Sequence, residues 1–222
     1  MSLTREQIQS GLVQQMAREA GHAMKVLTDE ELATSRRDTL ASAPSKDIWV
    51  FGYGSLIWNP AFHFVERRVG TIHGHHRRFC LWTTLGRGSP DCPGLMLGLD
   101  RGGSCRGVVL RIAPEHVESE IDVLWRREMV SNAYVPTWVR AVTDGGEVPA
   151  IAFTINRGHE RYAKKMSEEQ TADVIARASG RIGPCRDYLL NTVDHLDQLG
   201  IHDRTMKRLA EKVRRQRAGA AS

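Results

Sequence analysis

The chain has 222 residues, 41% of them hydrophobic and 26% charged, with 31 Lys and Arg against 26 Asp and Glu for a net charge of +5. That length suits one domain with a well-buried core, and no apolar run approaches the roughly 18 residues of a membrane span. No charged-then-apolar leader stands at the start, so neither a membrane segment nor a secretory signal is expected.

In chain order, residues 1–46 are expected to form a helical and peripheral N-terminal extension with no chemistry of its own. Thr4-x-x-Gln7 and Thr28-x-x-Glu31 both fit the capping box that satisfies first-turn amides. Ile8, Leu12, Val13 and Met16 recur at helical spacing, and Ala41-Ser42-Ala43-Pro44-Ser45 resembles a linker into the first strand.

Residues 48–58, Ile-Trp-Val-Phe-Gly-Tyr-Gly-Ser-Leu-Ile-Trp, follow that linker. Ile48 to Phe51 is an apolar, β-prone run, and Gly52-Tyr53-Gly54-Ser55 breaks it before Leu56, Ile57 and Trp58 resume it. Glycines beside a tyrosine allow close backbone approach to another molecule, and successive N–H groups there can converge on an anion. A tight turn between buried segments fits the same pattern. No Lys-Ser or Lys-Thr pair follows, which removes the phosphate-loop reading. Position 57 is Ile57 where a dinucleotide fingerprint needs glycine, and no serine has the setting of a hydrolase elbow.

From 48 to about 156 the chain reads as short strands. Leu95–Leu99 and Cys105–Ile112 flank the turn-rich 100–104, and Val135–Val142 and Val148–Ile155 flank 143–146, so two hairpins are expected. One helix, near 114–129, interrupts them, with Pro114 in its first turn and Glu115 and Glu118 at its positive end. Val117, Ile121 and Leu124 mark its inner face. Glu128 continues that stripe while most glutamates lie on the wet face. A desolvated carboxylate has a raised pKa and carries protons better near neutrality. The competing reading is a helix-end glutamate paired with an arginine, and Arg126 or Arg127 would either hold it ionised or bind an anion.

The remainder, from about Ser167, is predicted helical, punctuated by Gly180, Gly183-Pro184 and Gly200. Seven Lys or Arg between Arg204 and Arg217 surround Met206, Leu209, Ala210 and Val213, giving an amphipathic helix with a basic outer face. A non-enzymatic, nucleic-acid-binding role for that face is one alternative, but no interleaved aromatics accompany it, so it reads as a solvated face. His73, His75 and His76 form the one histidine cluster. Only His73 and His75 share a strand face, without acidic or thiol partners at ligand spacing, so no metal is expected. Cys80, Cys92, Cys105 and Cys185 are scattered with no Cys-x-x-Cys pair, which points to reduced thiols and a cytoplasmic setting. Cys80 lies in an apolar strand pattern and reads as inert, while Cys105 follows a glycine turn and stays open as a thiol nucleophile.

Val50–Trp58 followed by Leu124-Trp125-Arg126-Arg127-Glu128 resembles the ChaC family of γ-glutamylcyclotransferases. Arg77-Arg78-Phe79, Gly107-Val108 and Asp187-Tyr188-Leu189 also match, and the resemblance runs from about Trp49 to Val213. It implies an α+β fold, a small mixed β-barrel with packed helices, occupying 47–217 between the extension and a tail at 218–222. It implies a lyase that cleaves glutathione to 5-oxoproline and cysteinylglycine with neither metal nor organic cofactor; from composition and motifs, no nucleic-acid or membrane partner is expected. Glu128 matches the family's acid/base. Phe51, Gly52, Tyr53, Gly54, Ser55 and Leu56 would cradle the substrate, and Tyr188 matches a family tyrosine. Tyr134 is a further candidate. For both tyrosines the competing role is core packing with a satisfied hydroxyl. A cyclotransferase of the same fold acting on another γ-glutamyl amine is the remaining alternative.

Overall fold

The computed structural model describes residues 3–19 and 25–219. Its centre is a closed five-stranded barrel in the order β1-β3-β2-β4-β5. The strands are β1 (Trp49–Gly52), β2 (Glu66–Thr83), β3 (Gly94–Arg111), β4 (Tyr134–Thr143) and β5 (Gly146–Ile155). β1 pairs antiparallel with β3, Val50 opposite Leu110, and parallel with β5, Val50 opposite Ile151, which closes the barrel. Enclosed on both edges, β1 is wholly buried, and that is why it reads as an unbroken apolar run rather than an alternating one.

The hairpin expected at 143–146 is present: Thr143 pairs with Gly146 around Asp144-Gly145, and Gly146 has φ +99°. The hairpin expected at 100–104 is not. Those residues lie inside β3, which runs unbroken for 18 residues beside an equally long β2. The register passes from His73 opposite Ser104 to His75 opposite Arg101, so Gly102 and Gly103 oppose Gly74 alone. All three glycines have positive φ, +83°, +95° and +70° in chain order. The glycine pair therefore accommodates a bulge in a twisted ribbon, where the local sequence suggested a turn.

The helix near 114–129 is α4 (Val117–Glu128), entered through a short 3-10 turn at Pro114–His116. Helices α5 (Glu168–Arg177), α6 (Cys185–Gln198) and α7 (Arg204–Gly219) follow, with two-residue strands β6 (Ser179–Gly180) and β7 (Gly183–Pro184) before α6. Met206, Leu209, Ala210 and Val213 of α7 are buried as their spacing predicts. Three of its outer cations meet carboxylates of neighbouring helices: Lys207 lies 2.8 Å from Asp197, Arg208 lies 2.6 Å from Glu168, and Lys212 pairs with Glu169. The Arg217 side chain and positions 220–222 of the expected tail lie outside the described residues. Among the described residues no helix is long and apolar enough to cross a membrane.

The N-terminal segment forms α1 (Arg5–Gln9), α2 (Leu12–Glu19) and α3 (Asp29–Ala41), and both expected capping boxes are formed. It is not peripheral. Arg5 makes a two-pronged ion pair with Glu120 of α4, Gln14 donates to the Arg126 carbonyl at 2.7 Å, and Asn59 donates to the Leu3 carbonyl at 2.9 Å. Trp125 and Trp138 donate their indole N–H groups to Ser35 and Thr39 of α3. Glu120 is accordingly an exception to the wet-face expectation: it is buried, receiving Arg5 and the His63 amide.

Candidate active site

Glu128 closes α4, and the Met129 amide bonds back to the Trp125 carbonyl to end the helix there. The carboxylate lines a cavity of about 190 Å³ bordered also by Tyr53, Gly54, Ser55, Leu56, Tyr134 and Tyr188. Only 15% of its side-chain surface is exposed. Desolvation lifts its pKa above the usual glutamate value, and the nearby Arg127 charge offsets this only in part.

The two arginines beside Glu128 point apart. Arg126 turns outward to Asp122 and Asp29. Arg127 turns inward, its Nε 3.0 Å from Glu128 Oε1, while Nη2 donates to Ser55 Oγ at 2.8 Å and Nη1 to the carbonyls of Asn59 and Pro60. The arginine fastens the carboxylate to the glycine turn.

That turn leaves β1 and enters a 3-10 turn at Ser55–Ile57. Its internal bonds run from the Ile57 and Trp58 amides to Gly54 and Ser55, so they do not use the amides of Gly54 and Ser55. A Cβ on Gly54 would stand 2.8 Å from Tyr188 Oη and 3.4 Å from Leu97 Cδ1, which is why only glycine fits there. Phe51 and Gly52 do not line the cavity. They belong to β1, where Phe51 is fully buried and Gly52 packs against Val108, so they support the turn from behind.

The tyrosines separate by hydrogen bonding. Tyr53 donates to the Phe153 carbonyl at 2.8 Å and Tyr134 to the Leu97 carbonyl at 2.7 Å, so both phenols are satisfied as core groups. The Tyr188 hydroxyl instead stands at the cavity beside Gly54, 2.8 Å from where a Cβ on that glycine would lie. Burial pushes all three phenols upward, so each is a neutral donor.

Four lining residues carry no motif that would reveal them. Leu3 comes from the segment before α1 and Val13 from α2, and the buried Arg87 and partly exposed Arg161 come from loops after β2 and β5. Desolvation lowers both guanidinium pKa values. A lone arginine between Gly86 and Gly88 was the one sequence signal available. The thiols stay apart: Cys80 is buried and pushed up to about 12, and Cys105 is buried and likewise raised. Neither lines this cavity, and desolvated thiols are poor nucleophiles.

Residues 48–216 match the ChaC-like protein family. The chain belongs to the ChaC-like family. It is 41% identical over 188 residues to the glutathione-specific gamma-glutamylcyclotransferase of Escherichia coli (strain K12), covering 84% of this chain and 81% of that one. It is 33% identical over 158 residues to glutathione-specific gamma-glutamylcyclotransferase 1 of Homo sapiens, covering 69% and 71%. The crystal structure of the selenomethionine-labelled yeast gamma-glutamylcyclotransferase specific to glutathione superposes with a TM-score of 0.71 at 25% identity, covering 77% of this chain and 97% of that one. In this ChaC-like chain the family match opens at Ile48, so Leu3 and Val13 bring the cavity a wall from outside the matched span.

Proposed function

We propose that this ChaC-like protein is a γ-glutamylcyclotransferase that cleaves glutathione to 5-oxoproline and cysteinylglycine. The observation that carries the reading is the desolvated Glu128 carboxylate facing the Gly54-Ser55 turn across one cavity, with Arg127 bonded to both sides. The names of the bacterial and human relatives support the same substrate.

The reaction is intramolecular. The α-ammonium of the γ-glutamyl group gives a proton to Glu128, and the freed amine attacks the side-chain carbonyl carbon. The tetrahedral intermediate then expels the cysteine amide nitrogen, which takes the proton back from Glu128, and the second proton of the ring nitrogen passes to the freed cysteinylglycine amine, leaving the lactam N–H and an ammonium. No water is consumed, and the products together contain all the atoms of the substrate. Positioning the two ends of one molecule supplies roughly 7–11 kcal/mol of barrier lowering, and a placed acid/base adds about 10²- to 10⁴-fold. A carboxyl with a raised pKa exchanges that proton more readily near neutrality than an ordinary glutamate.

The amides of Gly54 and Ser55 and the Tyr188 phenol are the donors we assign to the substrate carboxylate or to the oxygen that becomes negative. An oxyanion donor of this kind is worth about 2.7–4 kcal/mol. Arg87 and Arg161 give the cavity positive walls suited to a ligand bearing two carboxylates. The four free cysteines fit a cytoplasmic setting. Against the nucleic-acid alternative, Lys207, Arg208 and Lys212 of α7 already meet carboxylates.

Incubation of the purified protein with reduced glutathione should release 5-oxoproline and cysteinylglycine in equal amounts. Absence of 5-oxoproline would end the reading. Parallel incubations with γ-glutamyl-alanine and oxidised glutathione would separate glutathione specificity from a broader γ-glutamyl preference.

A further inference from the structure

Arg77 lies on β2, and its side chain is only 2% exposed. A buried guanidinium is costly unless its donors are engaged, and three of them are. Nε donates to the Tyr53 carbonyl at 2.5 Å, Nη2 to the Arg106 carbonyl of β3 at 2.7 Å, and Nη1 lies 2.6 Å from Asp203 Oδ2. Asp203 in turn caps α7, accepting the Met206 amide at 3.0 Å. One side chain thus ties the barrel wall and a helix start to a single peptide of the glycine turn.

That peptide joins Tyr53 to Gly54. It is planar and trans, so its carbonyl and its N–H point in opposite directions. Drawing the Tyr53 oxygen toward the Arg77 guanidinium therefore turns the Gly54 N–H away from that guanidinium, and Gly54 itself borders the catalytic cavity beside Tyr188. The guanidinium charge on the carbonyl also polarises the amide, which makes its N–H a stronger donor.

We propose that Arg77 is a positioning residue for the reaction, aiming and polarising the Gly54 N–H as the donor to the oxygen that becomes negative when the γ-glutamyl carbonyl is attacked. This rests on the cyclotransferase reading of the cavity. Arg77 itself never touches substrate. It works from behind the turn, on the side of a second cavity of about 640 Å³ that Arg77 and Asp203 both line. Because water can enter there, truncation of Arg77 leaves Asp203 solvated rather than stranded.

The test compares Arg77→Lys and Arg77→Met with the wild type and with Arg78→Met, which removes the neighbouring cation whose bonds go to Asp100, Tyr162 and Ala163. Kinetics with glutathione and amide proton–nitrogen spectra are the readouts. In Arg77→Met, kcat should fall about 10²-fold, as expected for a donor displaced by about 1 Å, with KM within about threefold of wild type. Arg77→Lys should recover part of kcat, since it restores the charge without the fork. Both should move the Gly54 amide resonance, and Arg78→Met should move neither kcat nor that resonance. A purely structural Arg77 would lower the melting temperature while leaving both unchanged in the folded protein. Folded Arg77→Lys with wild-type kcat and an unmoved Gly54 resonance would overturn the proposal, even if Arg77→Met does not fold. If the wild type releases no 5-oxoproline, the cyclotransferase reading fails instead, and the Gly54 resonance still decides whether Arg77 orients that amide.

Discussion

Arg127 Nε lies 3.0 Å from Glu128 Oε1, an ion pair between sequence neighbours at the last turn of α4. Adjacent helical residues normally diverge by about 100°. The pair closes here because the helix ends at Glu128, and because Arg127 is held from the other side by Ser55, Asn59 and Pro60. Arg127 opposes the desolvation that raises the Glu128 pKa. Removing its charge should therefore raise that pKa further. The acid limb of kcat/KM should move to higher pH in Arg127→Gln, with a loss of activity from the loosened turn. A pH–rate profile identical to wild type would contradict this coupling.

Glu128→Gln should lower kcat about 10²- to 10⁴-fold with little change in KM, since shape and hydrogen bonding survive while the exchangeable proton is lost. The same variant should be more stable than wild type at neutral pH. The folded chain holds the Glu128 proton more tightly than the unfolded chain, so the penalty is absent below the unfolded pKa and grows as pH rises through the folded one. Denaturant titrations from about pH 4 to about pH 7 should show the two proteins converging at the acid end. Convergence at the neutral end would reverse the sign of the argument.

Gly54→Ala should be disabling. The added methyl meets Tyr188 Oη at 2.8 Å, at the tip of a ring wedged edge-on against Phe79 at 5.9 Å between centroids, so it has little room to retreat. Overpacking of this kind costs about 1–3 kcal/mol. Loss of the phenol's position should appear as a fall in kcat/KM, measured beside the melting temperature. Gly74→Ala is the contrast, since its added Cβ meets nothing within 4 Å and the cost there is backbone strain alone.

Arg5→Ala removes the partner of Glu120, whose side chain is 4% exposed and keeps the His63 amide. A buried acceptor left short of a donor costs about 1–3 kcal/mol. The effect should be local: amide exchange should quicken in α1 and α2 before it changes in the barrel. Because Leu3 and Val13 line the cavity, KM for glutathione should rise as well. Unchanged exchange in α1 would show that the other contacts suffice to dock it.

Much of this was visible in one dimension. The β1 run and its glycine break are local in origin, and so are both N-terminal capping boxes and the Asp144-Gly145 hairpin. Each follows from a few consecutive side chains acting on their own backbone. Glu128 was legible because helical periodicity continues through it from Val117. The 100–104 segment was misread because glycine pairs serve bulges and turns equally well, and only the partner strand decides between them. Arg77 was visible as part of a matching segment, but its aim at Tyr53 was not, since 24 residues separate them.

The linear order of residues thus determined the kinds of element and the presence of one carboxylate on a greasy helix stripe, because propensity and periodicity act over a few residues. Tertiary contact decided the rest: that Leu3 and Val13 wall the cavity, that Tyr53 and Tyr134 spend their hydroxyls on carbonyls while the Tyr188 hydroxyl stands beside Gly54, and that Arg127 faces in and Arg126 out. Those outcomes depend on which distant groups exclude water from each other. Burial and hydrogen-bond competition are properties of the packed whole, and no stretch of sequence contains them.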